Sequence, residues 1–423
     1  MTPDAELSGY AEVRAMYQVD VEGTPWQLVE RVRPGFEIET GPRVRAVGVV
    51  EAFLAQGRDT SDEIYDFLQG TEVGDRLDEF CTPAENYSFD DIHDYLTVER
   101  LYVDFTGEKV DIRVGRQAVN WGSALVFHPT DLYNEVIASE PWRERTGVNA
   151  VRANIALGDH GITALATMDD DLSAFEKAAA NDDGADEDIG EGFPRYEDLP
   201  VSVALKGTLR AVQTDFSVVA NYRPDGDYFL GGDLRGTLGA GWWVEGGWHG
   251  EAAAPEVVAG LDYSFPWGDR FYVAAEYRYD GTGEANPDDY DYSLRSSTVE
   301  MPYTCEFATF GSDDNSDEEA KPRVTLGQHY VDGTVNVMFL DNYGISTTAI
   351  ANVVDGTGLL VPDVSVLLGD RVAVHVGAQI PFGKEGEFVP PVELFEVAVG
   401  DASLDLSGFV PAATLNAWAR YSF

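Results

Sequence analysis

The chain of 423 residues contains 28 basic and 75 acidic residues, which gives a formal net charge of −47. This balance excludes a nucleic-acid partner, because phosphate backbones are bound by basic surfaces. Hydrophobic residues make up 44% and aromatic residues 12%, a composition too apolar for a disordered acidic chain. No stretch approaches the roughly 20 apolar residues of a membrane-spanning helix, whereas the strands of a membrane barrel need only about 10 residues of alternating polarity.

Apolar residues recur at every second position in many segments, which is the period of a β-strand. In 109–118, for example, Val110, Ile112 and Val114 alternate with polar residues and glycine. The same reading along the chain predicts 18 strands, near 7–18, 26–40, 43–56, 96–107, 109–118, 147–158, 162–169, 199–209, 212–222, 228–238, 240–250, 255–265, 269–280, 323–339, 345–353, 359–368, 371–382 and 412–423.

The connections between these strands differ in length in a regular way. One set consists of tight turns, and the other includes long segments at 57–95, 119–146, 170–198, 281–322 and 383–411. Short turns on one rim and long loops on the other are typical of a transmembrane antiparallel β-barrel. We therefore expect residues 1–423 to form one all-β outer-membrane barrel, with both termini and the short turns periplasmic and the long loops extracellular.

Aromatic residues are predicted at both ends of the outward faces, as expected for two lipid interfaces. They are Tyr17, Trp26, Tyr222 and Tyr279 on the loop side and Phe105, Phe265, Tyr421 and Phe423 on the turn side. The alternative is a soluble all-β sandwich or propeller, whose strands also alternate between apolar and polar residues. The terminal Phe423, with Tyr421 two residues before it, resembles the signal by which bacterial outer-membrane barrels are recognised for insertion. The first residues lack the features of a signal peptide, so we expect that one has been removed.

Two stretches resemble a group of large bacterial outer-membrane barrels that includes the alginate-export porins and related uncharacterised barrel families. The first reads DIRVGRQAVNWG at 111–122 and FHPTDLYN at 127–134, and the second reads NVVDGTGLLVP at 352–362. The resemblance implies a strand that runs into a loop packed into or over the lumen. It implies little about the solute, because similar barrels carry different cargoes.

Three long loops hold most of the negative charge. Residues 58–95, 169–198 and 280–321 each contain 12 acidic and 2 basic residues. A solvated acidic surface explains this charge, and Ca²⁺ binding is the alternative. Asp313, Asn315 and Asp317 have the spacing that opens a calcium loop, but Glu318 stands where the turn glycine would be. We expect no other cofactor.

The sequence contains no pattern that predicts an enzyme. Its six histidines lack the spacing that places two imidazoles on one metal ion, and no nucleophile elbow, Walker loop or zincin motif is present. We expect no catalytic activity, although a Ser–His pair assembled in space is not visible in a sequence.

Cys81 and Cys305 are the two cysteines of the chain and lie in the first and fourth long loops. An oxidising compartment favours their pairing, so we predict a disulfide that joins the two acidic loops, with two free thiols as the alternative.

The segment 127–134 is predicted to fold inward as a short loop or helix that constricts the pore. Its constriction residues are Phe127, His128, Pro129, Thr130 and Asp131. Pro129 can start a helical turn, with Asp131 near the N-terminal end. A loop that caps the barrel from outside is the alternative.

Alternation places several arginines on the inner face of the first six strands. The predicted pore-lining residues are Arg14, Arg31, Arg33, Arg100, Asp104, Asp111, Arg113, Arg116 and Arg152, with Arg116 turned inward by a bulge at Gly115. This wall is expected to carry a small positive excess and to favour anions. The other reading is a structural ladder in which these arginines pair with Glu12, Glu51, Asp104 and Asp111 and select nothing.

We expect a porin or exporter that passes small hydrophilic solutes, anions among them. It would be surrounded by outer-membrane lipid and lipopolysaccharide and would be monomeric by default. The alternative is a structural sleeve within a multi-protein export or electron-transfer complex. A sleeve should show unpaired apolar positions facing inward.

Overall fold

The fold is described from a computed structural model. The structure describes residues 4–19, 21, 25–58, 67, 71, 81–83, 96–133, 145, 147–168, 201–224, 226–250, 252–265, 270–292, 303–305, 325–391, 396–399, 402–405 and 410–423. Its strands are β1 (Asp4–Val19), β2 (Trp26–Glu39), β3 (Val44–Arg58), β4 (Cys81–Pro83), β5 (Leu96–Thr106), β6 (Val110–Gln117), β7 (Val148–Leu157), β8 (His160–Met168), β9 (Val201–Ala211), β10 (Thr214–Tyr222), β11 (Tyr228–Thr237), β12 (Gly241–His249), β13 (Ala254–Phe265), β14 (Arg270–Asp280), β15 (Tyr303–Cys305), β16 (His329–Phe339), β17 (Tyr343–Asn352), β18 (Gly358–Leu368), β19 (Val372–Phe382), β20 (Glu396–Val399), β21 (Ala402–Asp405) and β22 (Ala413–Ser422).

Eighteen of these strands form one closed antiparallel sheet. Each pairs with its neighbours in chain order, and β1 closes the barrel by pairing with both β2 and β22. The predicted fold class and strand number are therefore confirmed. The remaining strands form two small ladders, β4 with β15 and β20 with β21, which lie within long connections and were not predicted.

The connections alternate between two rims. We call the rim with the tight turns, such as 158–159 and 369–371, the short rim, and the opposite one the long rim. Gly158 (φ 69°) and Gly369 (φ 67°) take the left-handed conformation that these tight turns need. Both described ends of the chain, Asp4 and Phe423, lie at the short rim.

The outer face of the barrel is apolar. Exposed aliphatic side chains such as Val13, Val32, Leu101 and Val114 alternate with inward polar ones along the strands. Exposed aromatic residues mark both ends of this face, namely Tyr17, Trp26 and Tyr222 toward the long rim and Phe105, Tyr421 and Phe423 toward the short rim.

Candidate functional site

The chain that follows β6 turns into the barrel and covers part of its inner wall. We call residues 118–133 the inward segment. Two apolar clusters hold it against the wall between β7 and β17. One contains Val119, Trp121, Ala150, Leu165, Ala204, Val219 and Phe229, and the other contains Ala124, Val126, Phe127, Trp243, Val258, Ala274, Tyr330 and Ile350.

Glu245 on β12 is the first polar anchor of the inward segment. Its carboxylate accepts hydrogen bonds from the backbone N–H of Ser123 (2.5 Å), Ala124 (3.0 Å) and Thr130 (2.8 Å), and from the Thr130 hydroxyl (2.8 Å). A buried carboxylate is stable when donors satisfy its oxygens, so the loop backbone and the wall stabilise each other.

Glu276 on β14 is the second anchor. It accepts hydrogen bonds from the backbone N–H of Leu125 (2.6 Å) and Val126 (2.9 Å), and from Trp243 Nε1 (2.5 Å). Sequence analysis missed both anchors, although alternation on their strands places both side chains inside.

The predicted constriction residues lie within the inward segment. Phe127 is buried beside the Tyr330 ring (centroids 5.9 Å apart) and under the Arg278 guanidinium (4.4 Å). Pro129 lies in a hydrogen-bonded turn in which Asp131 N donates to His128 O (2.9 Å). Of the short loop or helix that was predicted for this segment, the structure therefore has a hydrogen-bonded turn.

The side chains of Thr130 and Asp131 are buried, and that of His128 is half-buried. Asp131 forms an ion pair with Arg145, and Thr130 is buried against Glu245. Burial, together with the positive charge of Arg145, lowers the pKa of His128 to about 4. Asn134 lies outside the described residues.

A second piece of chain, 383–391, packs against the long-rim ends of β16 and β17. Glu387 is fully buried and accepts hydrogen bonds from Tyr330 Oη (2.5 Å) and Asn352 Nδ2 (2.7 Å). Asp355 in turn accepts a hydrogen bond from Glu387 N (2.8 Å), and Phe388 packs against the apolar cluster that holds Phe127. The stretch 352–362 thus includes residues that dock this piece of chain.

The inner faces of β22, β1, β2, β3, β5, β6 and β7 carry the arginines, and we call them the basic wall. Two of its carboxylates each serve two arginines. Glu12 pairs with Arg14 (3.1 Å) and Arg420 (2.7 Å). Glu51 pairs with Arg31 (3.2 Å) and, more loosely, with Arg33 (3.9 Å).

At Arg113 and Arg152, likewise, one carboxylate lies near two arginines. Asp104 accepts two hydrogen bonds from Arg113, from Nε (2.5 Å) and Nη2 (2.8 Å). Arg152 lies directly opposite Arg113 on β7, and no carboxylate among the described residues is within ion-pair distance of it. The Arg113 guanidinium stacks on the Tyr102 ring at 3.9 Å.

An irregularity in β5 brings Arg100 to the wall, and Arg116 of β6 lies beside it. The β3–β5 register shifts at Val49/Val50, and Glu99 and Arg100 then pair side by side (3.3 Å). A Cβ on Gly147 would lie 2.9 Å from Arg116 Cγ and 3.1 Å from Arg100 Nη1, so both side chains lie on the same side of it.

The other predicted site residues lie apart from this wall. Asp111 is exposed at the short rim, where its Oδ1 accepts a hydrogen bond from Gly107 N (3.2 Å). Asp313, Asn315 and Asp317 lie outside the described residues, so the calcium site remains a prediction. Among the residues that are described, no cluster of three histidine, cysteine or acidic side chains could hold a metal ion.

The strands β4 and β15 pair with Cys81 opposite Cys305, so the backbones of the first and fourth long connections meet at the two cysteines. The side chains of both residues lie outside the described part of the structure, and the disulfide remains a prediction. Within the described ranges, no helix is long and apolar enough to cross a membrane.

No protein family and no curated protein matches the sequence. Solved structures do match the fold. Wzi of Escherichia coli, an outer membrane protein involved in group 1 capsule assembly and a carbohydrate-binding β-barrel, matches with a TM-score of 0.53 and 11% identity over 99% of this chain and 84% of that one.

Two further matches cover nearly the whole of both chains. OccAB1 of Acinetobacter baumannii has a TM-score of 0.51 and 9% identity over 99% of this chain and 96% of that one. OpdO of Pseudomonas aeruginosa has a TM-score of 0.51 and 11% identity over 99% and 97%. At identities of 9–11%, these structural neighbours establish the fold of this chain alone.

Proposed function

We propose that this chain is a monomeric outer-membrane channel of the porin type that passes small hydrophilic solutes and favours anions. The passage runs between the basic wall and the inward segment. The observation that carries the proposal is the pair of arginines Arg113 and Arg152 on the basic wall. Asp104 bonds to Arg113, and no carboxylate among the described residues is within ion-pair distance of Arg152.

The membrane location is supported by the outer face of the barrel. Its exposed aliphatic side chains, bounded by aromatic residues at both rims, suit the hydrocarbon layer and its two interfaces. The structural neighbours are consistent with this location. We place the short rim and both termini on the periplasmic side and the long acidic connections outside, as in other barrels of this design.

The anion preference follows from the charge pattern. Because Asp104 bonds to Arg113 and no described carboxylate is within ion-pair distance of Arg152, positive charge remains on the wall for a solute, and a low-dielectric wall focuses it into the passage. This arrangement combines the two alternatives that were predicted from the sequence. The carboxylates brace the wall, as in the predicted ladder, while Arg152 gives it a positive potential.

Stacking prepares these arginines to bind anions. Arg113 lies over Tyr102 at 3.9 Å and Arg420 over Tyr10 at 4.0 Å. The Nε and Nη2 groups of these two arginines already face Asp104 or Glu12, so stacking leaves the Nη1 side of each guanidinium for a solute, and a guanidinium matches carboxylate and phosphate groups. Solutes with such groups are the class that this wall fits best.

The inner apolar positions argue against a sleeve around a partner. Leu165, Val219 and Phe229 face inward, but the chain's own inward segment packs on them. The same holds for Val258 and Ile350 on the other side of the segment. We assign no catalytic role to the lumen.

Planar-bilayer recordings of the purified protein test the proposal. We expect open-channel currents with a preference for chloride over potassium. The absence of any current at any voltage would contradict the channel, and a current carried mainly by cations would contradict the anion preference.

A further inference from the structure

Two carboxyl groups face each other inside the barrel at the second anchor. Glu276 on β14 and Asp332 on β16 lie directly opposite in register, and each is only 2% exposed. Two negative charges held this close in a buried place repel strongly, so such a pair usually retains one proton.

The donors around the pair show where the proton resides. Glu276 accepts three N–H hydrogen bonds, from Leu125, Val126 and Trp243. Neither oxygen of Asp332 has a hydrogen-bond donor among the described residues. Glu276 is therefore the ionised member and Asp332 the protonated one, which can donate its own hydrogen to Glu276.

Arg278 is the nearest cation on β14, and its donors are used elsewhere. Nε donates to Glu256 (2.6 Å), Nη2 to Asp280 (2.9 Å) and Nη1 to the Thr325 hydroxyl (2.8 Å). Its charge is thus matched by two other carboxylates.

Within the described ranges, the remaining elements packed around the pair bring no further cation to Asp332. β17 places Ile350 opposite it. The Tyr330 hydroxyl, on β16 itself, donates to Glu387 of the second packed piece of chain. The inward segment contributes His128, and β12 contributes Glu245, which is bonded to that segment.

The first anchor offers a contrast within the same wall. Glu245 also lies opposite a carboxylate, Asp233 on β11. There, however, Asp233 accepts a hydrogen bond from the Ser123 hydroxyl (2.8 Å) and lies 3.5 Å from Lys206 Nζ. A cation and a hydroxyl thus contact the second carboxylate of the first anchor, whereas among the described residues Asp332 has neither contact.

We propose that a single proton shared by Glu276 and Asp332 locks the second anchor, and that its loss at raised pH releases residues 125–126 from the wall. Asp332 gives the proton to water, the two carboxylates repel each other, and Glu276 turns away from the N–H groups of Leu125 and Val126. The first anchor holds, so the segment loosens at one end and the passage widens. Only this last step rests on the proposed channel function.

Hydrogen–deuterium exchange of the full chain in lipid discs, fragmented to single residues, tests the lock without a current. From about pH 7 to about pH 9, where buried carboxyls can lose their protons, protection at Leu125 and Val126 should fall about tenfold or more after correction for intrinsic exchange. In Asp332→Asn it should stay constant, because the amide donates to Glu276 and carries no charge. Equal loss of protection in both proteins, or no loss in either, would overturn the proposal.

Two controls test whether the loss of protection is specific to the second anchor and to Asp332. Ser123 and Ala124, at the first anchor, should keep their protection over the same range. Asp363→Asn removes another lumen carboxyl, one bonded to His375 (2.9 Å) away from the segment, and should behave as the unsubstituted protein does. If Asp363→Asn also abolished the change, the lock at Asp332 would be wrong.

Infrared titration of the unsubstituted protein gives a readout that does not depend on a variant folding. The band of a protonated carboxyl should disappear over the pH range in which Leu125 and Val126 lose protection, and a constant band would contradict the shared proton. Conductance should rise over the same range. If no current flows at any pH, the channel function is wrong, while exchange and infrared data still decide the lock.

Discussion

Arg113 on β6 and Arg152 on β7 lie directly opposite each other, and Asp104 accepts hydrogen bonds from Arg113 through both of its oxygens. Adjacent like charges across a strand pair destabilise a sheet. Since no carboxylate among the residues that the structure describes pairs with Arg152, this arrangement lowers stability locally, and an anion in the passage would relieve this cost. This pair is the most direct structural sign of an anion path.

Gly122 lets the inward segment approach its first anchor. It has a φ of 93°, and a Cβ there would lie 2.7 Å from Glu245 Oε2 and 2.9 Å from its Cδ. We expect Gly122→Ala to separate Ser123 and Ala124 from Glu245 and to expose their amides to exchange. Gly226 is the matched control, because its φ is 99° and nothing lies within 4 Å of a Cβ there. Similar effects of Gly122→Ala and Gly226→Ala would show that strain alone, of about 1–2 kcal/mol, explains the result.

Removal of the constriction residues should widen the passage. Deletion of 127–134 takes away Phe127 and the turn at Pro129, which lie between the apolar wall and the lumen. Single-channel conductance should increase, since the barrel of 18 strands is wide enough to hold water once the segment is shortened. An unchanged conductance in a correctly folded variant would show that the segment does not limit the pore.

At acidic pH the inward segment should dock less stably on the barrel wall, because protonation of His128 opposes docking. The pKa of this residue is lowered from 6.5 to about 4 by burial and by Arg145. Between these values the undocked histidine binds a proton and the docked one does not, so docking is lost progressively as the pH falls from 6.5 to about 4.

Amide exchange around 127–131 measures this effect. His128→Asn, which does not titrate, should keep its protection constant over that range. Acid sensitivity of the same size in both proteins would assign the effect to other groups.

The two cysteines should form a disulfide in protein purified without reductant. The backbone pairing of β4 with β15 sets Cys81 opposite Cys305, a position from which cross-strand pairing is possible. Mass spectrometry should find neither thiol alkylated until a reductant is added. Alkylation of both thiols in the unreduced protein would show that the disulfide is absent.

The strands and the inner arginines were predictable because both depend on local pattern. A period of two fixes which side chains share a face, and closure of the sheet then fixes the direction of that face. The inward position of Arg113 follows from Val110, Ile112 and Val114 facing out. The bulge that was predicted at Gly115 is not present, because β6 pairs with β5 and β7 without a register shift there, although Gly115 has a φ of 120°.

The anchors were not predictable, because they join distant parts of the chain. Alternation places Glu245 and Glu276 inside the barrel but does not indicate that the backbone of 123–130, more than 100 residues earlier, supplies their donors. The pairing of Arg420 with Glu12 arises in the same way, since only barrel closure brings β22 beside β1. The long acidic loops lie mostly outside the described residues, and their binding properties remain predictions.

Reversal potentials in a salt gradient test the anion path most directly. We predict an anion-selective pore in which Arg152→Ser lowers the anion preference roughly two- to fivefold, the effect of one charge a few ångströms from a permeating ion. The matched control is Arg210→Ser, which removes an exposed arginine paired with Asp215 (2.6 Å) near the short rim and should leave the preference unchanged. A cation-selective pore that is indifferent to Arg152→Ser would contradict the account, and it would show that the arginines only brace the wall.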